Sequence, residues 1–138
     1  MRSYWNWTLT ENGTQTKQDT YITSKFTDLA IDWTQKQNNP WFLWLAYTAP
    51  HTPFHLPPNE LHSQNNLENT EEAIEKNPLP YYQAMLESLD TEIGRLLDSM
   101  SQEERENTLI IFMGDNGTPN QVIQAPYEKR KAKGSLYQ

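Results

Sequence analysis

Four side chains in this sequence have the types and settings to handle a small anion. Asp115 and Asn116 stand between Gly114 and Gly117, where glycine lets the backbone bend and turn a carboxylate and an amide carbonyl towards one point. Both are hard oxygen donors suited to Ca²⁺ or Mg²⁺, although a calcium ion takes roughly 6–8 oxygens and most would come from elsewhere. Asp-Asn-Gly is equally ordinary turn chemistry. His51, in Ala49-Pro50-His51-Thr52-Pro53, sits in a stiff loop where an imidazole could donate to an anionic oxygen or move a proton, or be satisfied by loop carbonyls. Lys133 precedes Gly134 at the end of the basic stretch 128–134. Glycine allows an anion close to that ammonium, whereas the default fate of a basic run is a solvated surface. His55 and His62 lie further along, but Pro53, Pro57 and Pro58 forbid the helix that would align the three imidazoles around a metal. Tyr4, Trp5 and Trp7 could stack on a sugar or pack in a core.

The elements that must position these groups can be read from spacing. Asn12-Gly13 predicts a hairpin turn within residues 1–20. Ile22, Phe26, Leu29, Ala30 and Trp33 fall at helical intervals, with Thr23 or Ser24 placed to cap and a stop before Asn38-Asn39-Pro40. The run Trp41 to Tyr47 is apolar at both parities and too short for a helix, which predicts a strand buried on both faces and ending at the His51 loop. Prolines 50, 53, 57 and 58 keep the chain irregular, and residues 59–77, rich in Asn, Gln and Glu, read as a surface excursion or lid. Tyr82, Met85, Leu86, Leu89, Ile93, Leu96, Leu97 and Met100 define a helix over 81–100, about 30 Å long. Gly94 inside it suggests the close approach of another backbone. Thr108 to Met113 reads as a second doubly buried strand, ending at Gly114-Asp115.

Strand, helix, strand favours parallel pairing through a right-handed crossover, hence an α/β fold with a mostly parallel sheet flanked by helices. Parallel pairing would bring Pro50-His51 and Gly114-Asp115 to the same carboxyl edge, where open α/β sheets hold ligands. The chain has 138 residues, room for one domain or part of a larger one. Aromatics at 12% argue against disorder despite a mean hydropathy of −0.87. Eighteen acidic against eleven basic residues give a net charge of −7, the wrong sign for nucleic-acid binding. There is no cysteine, hence no thiolate site or cysteine nucleophile. No apolar run approaches the roughly 20 residues of a membrane span, and the N-terminus has no apolar stretch of a signal peptide.

Together the segments resemble the sulfatases of the alkaline phosphatase superfamily. Pro40-Trp41-Phe42-Leu43-Trp44-Leu45-Ala46-Tyr47-Thr48-Ala49-Pro50-His51-Thr52-Pro53 is similar to their central strand and histidine loop. Tyr82 to Leu97, with Glu87-Ser88-Leu89-Asp90-Thr91-Glu92-Ile93-Gly94, resembles the helix that follows, and Asn107 to Gly117 the next strand and metal loop. Lys131-Ala132-Lys133-Gly134-Ser135-Leu136-Tyr137 is similar to the segment bearing a substrate-binding lysine. Tyr4-Trp5-Asn6 and the Asn12-Gly13 turn also resemble arylsulfatases.

The resemblance implies a metal-dependent hydrolase of sulfate esters acting on a sulfated small molecule or glycan. Asp115 and Asn116 would hold Ca²⁺, with Mg²⁺ as the alternative, while His51, as catalytic residue, and Lys133 would contact the sulfate. Family nucleophiles are formylglycines made in a Cys/Ser-x-Pro-x-Arg motif. None of the seven serines here begins that motif, so the expectation is a partial sulfatase catalytic domain spanning 1–138, cut at both ends. Its nucleophile and further metal ligands would then lie upstream, leaving this chain inactive alone. A phosphodiester or phosphonate hydrolase on the same scaffold, or a non-catalytic degenerate product, are the alternatives. Family members are commonly periplasmic, secreted or lysosomal; oligomeric state is not encoded in any visible motif.

Overall fold

The computed structural model describes residues 3–126 and begins with a hairpin. β1 (Trp7–Glu11) pairs antiparallel with β2 (Thr14–Gln18), placing Trp7 opposite Gln18 and Glu11 opposite Thr14. Between them Asn12 at φ 49° and Gly13 at φ 83° both occupy the left-handed region. That type I′ geometry follows the natural strand twist, which is why Asn-Gly signals the turn.

α1 (Ile22–Thr34) forms where the spacing predicts and ends ahead of Asn38. Its start differs from expectation: Tyr21 is the N-cap residue, no side chain caps the helix, and Thr23 is turned inward. The buried stripe is Thr23, Thr27, Ala30 and Thr34, not the larger apolar stripe beside it. Phe26 meets the Trp7 ring edge-on at 5.6 Å and Trp33 meets Trp41 at 6.0 Å. The bulky stripe thus serves the hairpin and the chain after the helix, while the small residues supply the closely packed face.

α3 (Pro78–Asp98) follows a 3₁₀ turn (Asn59–Leu61) and the short helix α2 (Glu71–Lys76), and packs on α1. Its 21 residues span about 31 Å at 1.5 Å per residue. Proline in its first turn costs little, because those N–H groups have no helical acceptor. Met85, Leu89 and Leu96 are buried as the periodicity predicts, but the buried face also takes Tyr81, Ala84, Ser88 and Glu92, while Leu86 is exposed. A Cβ added at Gly94 would meet nothing within 4 Å, so the close approach expected there is not found. The core joins Tyr4, Tyr21, Ala49, Met85 and Leu89, with Ile22, Tyr47, Phe54, Leu61 and Ile93 packed against it.

Arg95 fastens the two long helices. Its guanidinium lies 2.7 Å from Glu92 and 2.8 Å from Asp28, and it donates to the Ser24 carbonyl at 3.1 Å. The excursion over residues 59–77 is tied down on α3 at several points. Glu87 accepts from the Ser63 N–H at 2.5 Å and from Gln64 Nε2 at 2.6 Å, Tyr81 donates to the Glu68 carbonyl, and Thr91 to that of Leu61. Past α3, α4 (Gln102–Glu106) starts with a reciprocal cap: Ser101 Oγ accepts from the Glu104 N–H and the Glu104 carboxylate from the Ser101 N–H. A 3₁₀ turn (Asn120–Val122) buries Val122.

The two apolar runs depart most from the sequence reading. Neither 41–47 nor 108–113 is hydrogen-bonded into a sheet; the sheet among the described residues is the antiparallel hairpin. Both runs were expected to be buried on both faces. Instead 41–47 alternates: Trp41, Leu43, Leu45 and Tyr47 are half-buried, while Phe42 and Trp44 are 81% and 78% exposed. Alternate residues of an extended chain point to opposite sides, so one side rests on α1, where Tyr47 meets Thr27 at 2.7 Å, and the other is uncovered. Leu109 to Met113 are all exposed, Leu109 at 85%. An extended segment becomes a strand only beside a partner offering backbone donors and acceptors, and no described segment does so for either run.

Candidate functional site

The best-defined part of the expected site is the turn that carries His51. The His51 N–H donates to the Thr48 carbonyl at 2.9 Å, closing a four-residue turn across Ala49 and Pro50. The exposed His51 ring places Nδ1 2.6 Å from the carbonyl of Thr52. A carbonyl can only accept, so Nδ1 carries the proton and Nε2 is the edge left for other chemistry.

Beneath this turn lies an aromatic cluster. Tyr4, 7% exposed, places its hydroxyl 2.8 Å from both the Thr48 and the His51 carbonyls. Its own carbonyl accepts from the Ile22 N–H at 2.9 Å, linking the turn to the first turn of α1. The ring lies 4.0 Å from that of His55 and 6.1 Å from that of Tyr21. Burial pushes the Tyr4 hydroxyl well above the usual phenol range and raises that of Tyr21, and it pushes the His55 imidazole down to about 4. His55 Nδ1 faces the Pro53 carbonyl at 3.3 Å and must donate to it, so Nε2 accepts from the Tyr21 hydroxyl at 3.1 Å. His55 is therefore a neutral packing group. Nothing in its spacing from His51 distinguishes the two roles; only the buried ring stack does.

Of the proposed sugar-stacking aromatics, Tyr4 belongs to this cluster. Trp5 leans on Tyr21 at 5.2 Å, and Trp7 donates from Nε1 to the Thr20 carbonyl while packing on Phe26. His62 turns Nε2 to the Pro57 carbonyl at 3.3 Å.

Asp115 and Asn116 lie exposed in a bend just beyond the second apolar run. Gly114 does not use the left-handed region, and a Cβ there would make only ordinary contact, 3.8 Å from the Asn116 carbonyl, so the bend does not depend on glycine at 114. Among the described residues no group of three His, Asp or Glu side chains gathers to hold a metal. Asp115 and Asn116 carry hard oxygen donors, and the two side chains together would be too few for the roughly 6–8 oxygens that calcium takes. Lys133 and the segment around it lie outside the described residues.

Comparison with known proteins bears on the family of the chain. The sulfatase family model matches residues 2–137. The chain is 34% identical over 111 residues to an uncharacterized sulfatase of Escherichia coli K12, YdeN, covering 77% of this chain and 18% of that protein. It is 27% identical over 122 residues to an arylsulfatase of Klebsiella aerogenes (59% of this chain, 26% of that protein) and 25% identical over 99 residues to mouse arylsulfatase G (70% and 16%). It thus spans about a quarter or less of the length of these relatives. No solved structure gives a significant match. The match to the family model, running almost from end to end, establishes that the chain belongs to the sulfatase family, whose domain is α/β.

Proposed function

We propose that the chain is part of a sulfuric ester hydrolase of the arylsulfatase type. In this reading His51 contacts the sulfate group, Lys133 adds a second cationic contact, and Asp115 and Asn116 contribute to a divalent metal site, Ca²⁺ in preference to Mg²⁺. In the complete domain, 41–47 and 108–113 are neighbouring parallel strands, which sets His51 and Asp115 at one sheet edge.

The observation that carries the reading is the His51 turn: an exposed imidazole with Nδ1 committed to the Thr52 carbonyl. In that tautomer a neutral ring offers Nε2 only as an acceptor. Contact with an anionic sulfate oxygen therefore requires the imidazolium, whose charge-assisted bond is roughly twice as strong as a neutral one. The same Nε2 proton is placed for transfer to the oxygen of a departing alcohol. A cation bound through Asp115 and Asn116 would offset charge on the sulfate oxygens. The covalent step needs a nucleophile, and the family's Cys/Ser-x-Pro-x-Arg motif does not occur in these 138 residues; the formylglycine is supplied by sequence outside them.

The test is an NMR titration of the His51 ring with sodium sulfate. Sulfate is expected to move the His51 signals, with Lys133→Ala weakening the response. The chain by itself is expected not to turn over an aryl sulfate. A His51 ring indifferent to sulfate, or metal-dependent turnover by the chain alone, would overturn the assignment.

A further inference from the structure

The His51 turn is held in an unusual way. Pro50 and Pro53 have no N–H, and the apolar run leading into the turn has no strand partner among the described residues. The turn's carbonyls therefore look elsewhere for donors. Both end carbonyls, Thr48 and His51, converge on one hydroxyl, that of Tyr4, at 2.8 Å each. The Thr48 oxygen also accepts the His51 N–H, so a single phenol proton is shared across the mouth of a turn that is already closed. Tyr4 is itself fixed from two sides, its carbonyl by the Ile22 N–H and its ring face by His55 at 4.0 Å, and the Nε2 of that same His55 accepts from the hydroxyl of the neighbouring Tyr21. An aromatic wedge on α1 thus ends in one donor pointed at the backbone of the residue whose side chain faces solvent.

We propose that Tyr4 is a positioning residue for His51: its hydroxyl pins both ends of the Thr48–His51 turn and so sets the direction in which the imidazole is presented. The backbone role stands on the geometry of the turn; its value to sulfate contact rests on the reading of His51 given above. The hydroxyl is the part that matters, because the ring alone would fill the same space between His55 and Tyr21.

Tyr4→Phe tests this, since it keeps the ring and removes the donor. Amide hydrogen exchange is expected to accelerate at least tenfold at His51, whose N–H bonds to Thr48, while amides in the middle of α1 and α3 stay within about twofold of the parent. A tyrosine that merely supports the fold would instead speed exchange throughout. In the sulfate titration the variant is expected to bind at least threefold more weakly at the His51 ring. Unchanged exchange at His51 overturns the inference, whether or not sulfate binds. If exchange accelerates at His51 but the parent ring never responds to sulfate, the positioning role stands and the sulfate reading falls. Should Tyr4→Phe fail to fold, the parent protein answers: a slowly exchanging Tyr4 hydroxyl proton with nuclear Overhauser contacts to Thr48 and His51 supports the pin. A hydroxyl exchanging as fast as that of free tyrosine overturns it.

Discussion

Acidification from pH 7.5 to 5.0 is expected to remove about 2 kcal/mol of stability through His55 alone. The imidazole is wedged against Tyr4 and Tyr21, donating from Nδ1 to Pro53 and accepting at Nε2 from Tyr21. A second proton would put a charge into that cluster and set an N–H against the Tyr21 O–H. Burial accordingly lowers the folded-state value to about 4 from 6.5. A depressed histidine binds its proton more readily in the unfolded chain. Its contribution is therefore undiminished above pH 6.5, declines as pH falls below 6.5, and levels off near pH 4. The slope in the middle of that window is about 1.4 kcal/mol per pH unit, giving about 2 kcal/mol at pH 5.0 and about 3 in all. The carboxylates that the fold holds below their usual range, Glu87 and Glu104, lose their contribution at lower pH, so the interval from 7.5 to 5.0 isolates histidine. Urea unfolding followed by tryptophan fluorescence, on the parent and on His55→Phe, measures it. The phenyl ring keeps the stack and cannot titrate, so the variant's drop between the two pH values should be smaller by about 2 kcal/mol. Equal drops in both proteins, or an NMR midpoint for His55 near 6.5, would refute the reasoning.

Other expectations follow from the helix pair, the clasped excursion and the bare runs. Arg95→Ala strands Glu92, only 2% exposed, without its cation. The cost should be about 2–3 kcal/mol by urea denaturation, less than the 3–5 of a fully buried pair because Arg95 itself is partly exposed. Arg95→Lys should recover only part of it, since one ammonium cannot reproduce the bonds to Glu92, Asp28 and the Ser24 carbonyl. Glu87→Gln should loosen residues 61–70, read as faster limited proteolysis there with little change in global stability. In the parent, the Ser63 N–H and Gln64 hold the Glu87 carboxylate below the usual range. That clasp is complete above the ordinary carboxyl pKa and is lost as pH falls through the lowered one. Replacing both Phe42 and Trp44 with Lys should reduce concentration-dependent light scattering while leaving the helical circular dichroism signal intact, because both side chains point away from α1. Scattering unchanged by that double substitution would place the sticky surface elsewhere.

What could be read in advance was local. The Asn12-Gly13 turn, the extent of α1 and the body of α3 follow from conformational preference and from a 3.6-residue period that the chain carries within itself, although α3 starts at Pro78 and ends at Asp98 rather than running over 81–100. Which side of each helix faces inward was less legible. Thr23, Thr27 and Ser88 are buried where Phe26, Trp33 and Leu86 are half-buried or exposed, because packing density between α1 and α3 favours small side chains and periodicity weighs only hydrophobicity. The apolar runs read as strands in the sequence, but pairing depends on a neighbour, and none for 41–47 or 108–113 lies among the described residues. Within the candidate site, His51 announced itself by its prolines. The Tyr4 hydroxyl did not: its two acceptors lie 44 and 47 residues away, and no spacing rule connects them.

The alternation along 41–47 has a consequence if, as proposed, this segment is a strand of a larger sheet. With Trp41 against Trp33 and Tyr47 against Thr27, the parity of its side chains is set by α1 alone. A strand added beside it and slipped by one residue would meet the wrong parity of side chains along its entire length. In that arrangement the helix beneath would act as a ruler, and the imidazole at the far end of the segment would inherit the alignment.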